Sequence, residues 1–161
     1  MNRLTGSVFF AAVCCLWAVA ACSRPVSEER FVKASRTDAY GRYVFPLDLS
    51  DTTCRYDVGL YAVLDVEDPD FEAFSHLPLD ILWESPSGRP FWEEVAVGRD
   101  CLVDSKYYEK SFRTAYRTDL VPVEPGIWRL SVSVPEADSW QGSMVGIGVK
   151  LVRKTGWDTE N

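Results

Sequence analysis

The sequence predicts an all-β protein: a single antiparallel β-sandwich, jelly-roll or immunoglobulin-like, of about seven to eight strands. Three observations carry this. From Tyr40 onward, apolar residues recur at every second position, the period of a strand with one buried and one wet face. Proline and glycine punctuate the runs, as at Pro86-Ser87-Gly88 and Pro125-Gly126, where turns reverse the chain. No stretch holds the helical period long enough for a long helix. A closed barrel shares the same pattern and is the alternative architecture.

The strands follow in order. Tyr43, Phe45, Leu47 and Leu49 alternate with Arg42, Val44, Pro46 and Asp48, and Pro46 places this run on an edge or at a bulge. The clearest strand puts Cys54, Tyr56, Val58, Leu60, Ala62 and Leu64 on one face. Leu77, Leu79, Ile81 and Trp83 form the buried side of the next. Phe112, Thr114, Tyr116, Thr118 and Leu120 make another, followed by Trp128, Leu130, Val132 and Val134. Val145, Ile147, Val149 and Leu151 close the series, alternating with Gly146, Gly148 and Lys150. Between strands, Asp68 to His76 has Pro69 near its start and suits one helical turn.

Ahead of this domain the chain has a different character. Arg3 is followed by an uncharged run from Leu4 to Ala21, which ends in Val19-Ala20-Ala21-Cys22. A basic start, an apolar centre and small residues before the cut are the layout of a secretory signal peptide. The run falls just short of the roughly 20 apolar residues that span a bilayer. Small residues directly before a cysteine resemble the bacterial lipobox, and the resemblance implies lipid on Cys22 and loss of residues 1–21. More than one acyl chain there would make a stable tether. The expected divisions are a lipoprotein signal peptide over 1–21, a lipidated Cys22 with a flexible polar tether over 22–39, the sandwich over 40–154, and a C-terminal tail over 155–161.

Composition narrows the partners. The chain carries a net charge of −7, and losing Arg3 with the signal makes the remainder one unit more acidic. That argues against nucleic acid and against electrostatic attraction to anionic lipid. Of the five cysteines, Cys14 and Cys15 leave with the signal and Cys22 takes lipid. Cys54 and Cys101 remain, an even pair in an oxidising compartment. They are a candidate disulfide, with two buried thiols as the alternative.

No constellation for catalysis emerges, and no cofactor or metal site is expected. His76 is the only histidine, flanked by Phe74, Leu77 and Pro78, and reads as structural at a strand start. No Gly-x-Ser-x-Gly elbow is present. Cys54 and Cys101 lack an adjacent histidine or a Cys-x-x-Cys spacing. The acidic run from Asp65 to Asp70 lacks the glycine and glutamate of an EF-hand and reads as a solvated loop. Aromatics are the remaining lead. Trp83 and Trp128 fall on apolar strand faces, as core residues do. Trp92 and Trp140 sit near turns, as candidates to anchor a protein partner or stack on a polysaccharide. The competing reading folds them back over a sheet edge.

Several landmarks together resemble the gliding-motility lipoprotein H family of Bacteroidetes. They are Phe45-Pro46-Leu47-Asp48 with Tyr56-Asp57-Val58, Phe74-Ser75-His76-Leu77, Pro86-Ser87-Gly88, Pro125-Gly126-Ile127-Trp128, and Ile147-Gly148-Val149-Lys150-Leu151. Leu64-Asp65 and Ala137 to Gln141 stand where that family carries arginines. The resemblance implies a non-enzymatic outer-membrane lipoprotein that contacts other envelope proteins of a gliding or secretion apparatus. It brings no catalytic residues.

Overall fold

The computed structural model describes residues 27–154. Cys22, the expected site of lipid attachment, the expected signal peptide over 1–21 and the expected tail over 155–161 lie outside them. Nine strands are present among the described residues: β1 (Ser27–Lys33), β2 (Tyr43–Asp48), β3 (Arg55–Asp65), β4 (His76–Glu84), β5 (Pro90–Gly98), β6 (Leu102–Ser105), β7 (Glu109–Leu120), β8 (Ile127–Ser133) and β9 (Met144–Lys154). One short helix, α1 (Asp68–Phe71), joins β3 to β4.

The strands form two antiparallel sheets, one in the order β1-β9-β3-β7-β6 and the other β2-β8-β4-β5. The predicted alternation maps directly onto β3 and β4, whereas register shifts break it on β7, where Thr118 is exposed, and on β9, where Met144 rather than Val145 is buried. Leu77, Leu79, Ile81 and Trp83 point into the sandwich from β4, and Tyr56, Val58, Leu60, Ala62 and Leu64 do so from β3. Phe45, Leu64, Leu77, Ile81, Phe112, Leu130, Val132 and Ile147 have no exposed surface. Each such side chain contributes roughly 1.5–3 kcal/mol of burial.

The expected tether over 22–39 is corrected where it meets the described chain. Residues 27–33 are strand β1, paired along their whole length with β9, so the domain starts before residue 40. β1 shows no apolar period because both its faces are largely wet. Its stability comes from the ladder to β9 and from Phe31. Phe31 stacks on Tyr61 with centroids 5.5 Å apart, and the two rings lie where Cβ atoms on Gly146 and Gly148 would be. The glycines of β9 thus leave room for rings packed across the sheet, a known device for supporting glycine in strands.

One end of the sandwich is closed. Phe74 packs on Phe71 at 5.0 Å, on Phe112 at 4.9 Å and edge-on to Trp140 at 5.3 Å. α1 lies over this group and is fastened by Lys110, whose side chain has no exposed surface. The Lys110 ammonium donates to the Asp68 carboxylate and to the Lys106 carbonyl, and lies 5.5 Å from the Phe71 ring centroid. A buried cation holds its place only when paired and hydrogen-bonded in this way.

Candidate functional site

The opposite end is open. β2, β4, β5, β7 and β8 leave a cleft of about 330 Å³ there. Its floor is Trp83 and Trp128, 6.1 Å apart and edge-to-face. Phe91 leans on Trp128 at 6.0 Å, and Trp92, Leu49 and Leu120 add apolar wall.

β7 reaches the cleft through irregularity. Opposite β3 its register slips on both sides of the Val58–Arg117 pair, and Asp119 adopts a left-handed φ of 53°. Such bulges re-aim side chains. Here they bring Tyr116 and Arg117 together towards Glu93 on β5, while Leu120 joins the wall. Asp57 holds the distortion by accepting the Asp119 backbone N–H at 2.9 Å, and Lys154 pairs with both carboxylates.

One polar network crosses the floor. Trp83 Nε1 donates to Tyr116 Oη at 2.7 Å and to Glu93 Oε1 at 3.2 Å. Tyr116 donates to the same carboxylate oxygen, and Arg117 pairs with the other. The Arg117 guanidinium also lies 4.8 Å from the Tyr116 ring centroid. The charged groups of the cleft are therefore directed at one another.

The rim is the loop after β7. Its base is pinned: Leu49 N–H donates to the Gly126 carbonyl at 3.0 Å, and Trp128 Nε1 donates to the Glu124 carbonyl at 2.8 Å. Gly126, at φ 138°, backs onto Pro86. Ser87 Oγ donates to the Glu124 carboxylate at 2.8 Å and, with Arg89 nearby, holds that carboxyl below its ordinary range. Val121 and Val123 stand out from this base, 58% and 77% exposed. With Phe91 (44%) on the inner face of β5 and Trp92 (69%) on its outer face, they leave apolar surface exposed around the cleft, of the kind that marks interaction sites.

Trp92 lines this cleft. Trp140 does not: it is half-buried against Phe74 at the closed end. Phe74 precedes β4, whereas Trp92 stands opposite Leu82, so the two indoles lie about 25 Å apart along the strand direction. They cannot serve one small ligand.

The candidate disulfide is corrected. Cys54 and Cys101 are free thiols. Cys54 precedes β3, while Cys101 adjoins Leu102, which stands beside Phe112 and hence beside Ala62 at the far part of β3. That separation is about 25 Å, against less than about 7 Å for bridged Cα atoms. Cys54 instead donates its thiol proton to Asp51 at 3.1 Å. This bond pushes the thiol up, and Asp51, which also accepts from Thr53, is held down at about 2.

His76 is exposed at the start of β4, with Nδ1 3.0 Å from Ser75 Oγ. In the acidic run, Asp68 serves as the Lys110 partner. Among the described residues no group of three or more His, Cys, Asp or Glu could hold a metal ion, and no helix is long and apolar enough to cross a membrane. Sequence reasoning missed the Glu93–Tyr116–Arg117 network and the valine rim. The Val121-Pro122-Val123 triplet, apolar residues between two strands, was the available signal.

Fold and site together define a two-sheet β-sandwich with an aromatic cleft at one end. No protein-family model matches the chain, and no curated protein does. Among solved structures, it is similar to a protein from Sulfurospirillum deleyianum, at 10% identity over 83% of this chain and 100% of that one, with a TM-score of 0.37. It is also similar to the Yersinia pseudotuberculosis-derived mitogen, at 8% identity over 86% and 91% of the two chains and a TM-score of 0.27. A structure of infectious bursal disease virus Gx strain is similar at 14% identity, over 83% of this chain and 34% of that one, with a TM-score of 0.28. Likenesses this distant carry no functional argument.

Proposed function

We propose that this chain is a non-enzymatic, lipid-anchored component of the cell envelope, seated at the outer membrane through Cys22, which binds another envelope protein at its open end. The exposed apolar surface around a preformed cleft, Phe91, Trp92, Val121 and Val123, carries the reading. Protein interfaces centre on aromatic anchors beside shaped pockets. On the family resemblance, the partner belongs to a gliding or secretion apparatus.

A polysaccharide is the second reading, favoured by the open indole of Trp92. Sugar recognition needs polar groups free to meet hydroxyls beside the stacking ring. Glu93 and Arg117 instead satisfy each other, and the rim adds valines.

The test is in-cell cross-linking of the tagged full chain, then detergent extraction, purification and mass spectrometry. Wild type is compared with Val123→Asp and Trp92→Ala, and Cys22→Ala serves as the mislocalised control. A partner lost in the cleft variants and in the control supports the proposal. Retention on polysaccharide that Trp92→Ala abolishes, with no protein partner, replaces it with the second reading. A Cys22→Ala protein still membrane-bound at normal level removes the anchor.

A further inference from the structure

Four strands lie at sheet edges, and three of them are blunted. β1 is studded with charge, β2 contains Pro46, and β6 has only 4 residues. Short, charged or proline-bearing edges resist pairing with another chain. β5 is different. It is paired with β4 along all of its 9 residues and has no strand on its other side.

The outer face of β5 carries an unusual pair. Glu94 stands directly opposite Asp80 of β4. Like charges in that position destabilise a sheet, and no ion pair among the described residues includes either one. Beside them, Leu82 and Ser131 are buried on the same outer face, next to the exposed Trp92. Two carboxylates without a cation thus flank an open strand edge that runs into the cleft.

We propose that β5 accepts an extended segment of the partner protein as an added strand, with a basic side chain over the Asp80–Glu94 pair. This deepens the protein-partner reading and rests on it. Alternation fixes the segment's pattern. The residue opposite Glu94 shares its outer face and is Lys or Arg. The residue opposite Phe91, three positions away, points inward and is apolar, filling the cleft. Backbone bonds supply affinity and these two positions supply selectivity, as in other strand-addition interfaces. A second copy of this chain does not fit. Antiparallel pairing of β5 with itself over its full length, Pro90 against Gly98, sets Glu94 against its own copy.

The probe is a fluorescent β-forming peptide of about ten residues with leucine and, three positions on, lysine. A control peptide has glutamate in place of that lysine. Each is titrated into the full chain in detergent, with anisotropy as the readout and amide exchange mapping the contact. The lysine peptide is expected to bind about tenfold tighter than the glutamate peptide. Glu94→Lys, an exposed substitution that leaves the fold intact, is expected to invert the preference. Exchange should slow across β5. Equal binding of the two peptides, no binding, protection elsewhere, or a β5-dependent dimer in sedimentation would overturn the proposal. If Val123→Asp abolishes partner capture while the peptides ignore β5, strand addition fails and the partner reading survives. Unchanged capture by Val123→Asp sinks the partner reading at this cleft itself.

Discussion

The two ends of the sandwich are built from the same material and finished differently. At one end Phe71, Phe74, Phe112 and Trp140 cluster within 4.9–6.0 Å of one another's rings. At the other, Trp83, Tyr116, Phe91 and Trp128 cluster at 6.0–6.2 Å. The closed end has α1 drawn over it by the Lys110–Asp68 bond. The open end has a connecting loop whose hydrogen bonds fasten only its base, at residues 124–126. Aromatic content alone therefore does not separate core from site. The difference lies in where the adjoining loop is tied.

The largest expected contrast is in stability. Phe112→Ala, at a fully buried position, should cost about 4 kcal/mol in denaturant unfolding, whereas Phe91→Ala should cost less than about 1 kcal/mol. Equal costs would break the comparison. Next, Asp68→Asn leaves the Lys110 ammonium with carbonyl partners alone. Breaking a buried pair costs about 3–5 kcal/mol. Because Asp68 is itself 57% exposed, about 2 kcal/mol is expected. Lys110→Met added to Asp68→Asn should recover most of it. At the open end, Trp92→Ala should shift stability by no more than about 0.5 kcal/mol while partner capture falls at least about tenfold.

The smallest effects concern Asp51 and Cys54. Native-state thiol labelling should modify Cys101 before Cys54, whose thiol is buried and held by Asp51. Asp51→Asn should speed Cys54 labelling, because the bond that raises its pKa is gone. Asp51 titrates at about 2 in the folded chain, against an ordinary 3.8. Its contribution to stability is therefore complete above 3.8 and is lost as pH falls towards 2. An acid-unfolding curve of Asp51→Asn should lack that component.

How much of this was legible in the sequence follows from what shows in a period. Strands with one dry face, such as β3 and β4, announced themselves through Tyr56 to Leu64 and Leu77 to Trp83. The sandwich class followed from them. Of the edge strands, β2 did so through Tyr43, Phe45 and Leu47, but β1 and β5 did not. β1 is wet on both faces, and β5 buries only Val97 fully, so neither offers a clean alternation. Trp83 and Trp128 were legible as core from their strand faces. The opposite fates of Trp92 and Trp140 were not, because both depend on loops that pack from a distance. The Cys54–Cys101 pairing failed for a related reason: even cysteine counts say nothing of distance, and the register of β6, β7 and β3 keeps the two apart.

The placement of β1 also governs how the proposed anchor would hold the domain. Ser27 pairs with Val152, in the part of β9 that leads to Lys154, and Arg55 and Tyr56 flank the same stretch. This is the end at which the cleft opens. With Cys22 as the anchor, only Ser23 to Val26 would intervene, a reach of at most about 18 Å from Cys22 to Ser27. On the proposed anchor, so short a leash would turn the open end towards the bilayer and restrict its search to a thin layer above the lipid headgroups. Within that layer, tethering two molecules to one surface raises their mutual concentration to the order of millimolar. Contacts too weak to survive dilution in solution would then suffice.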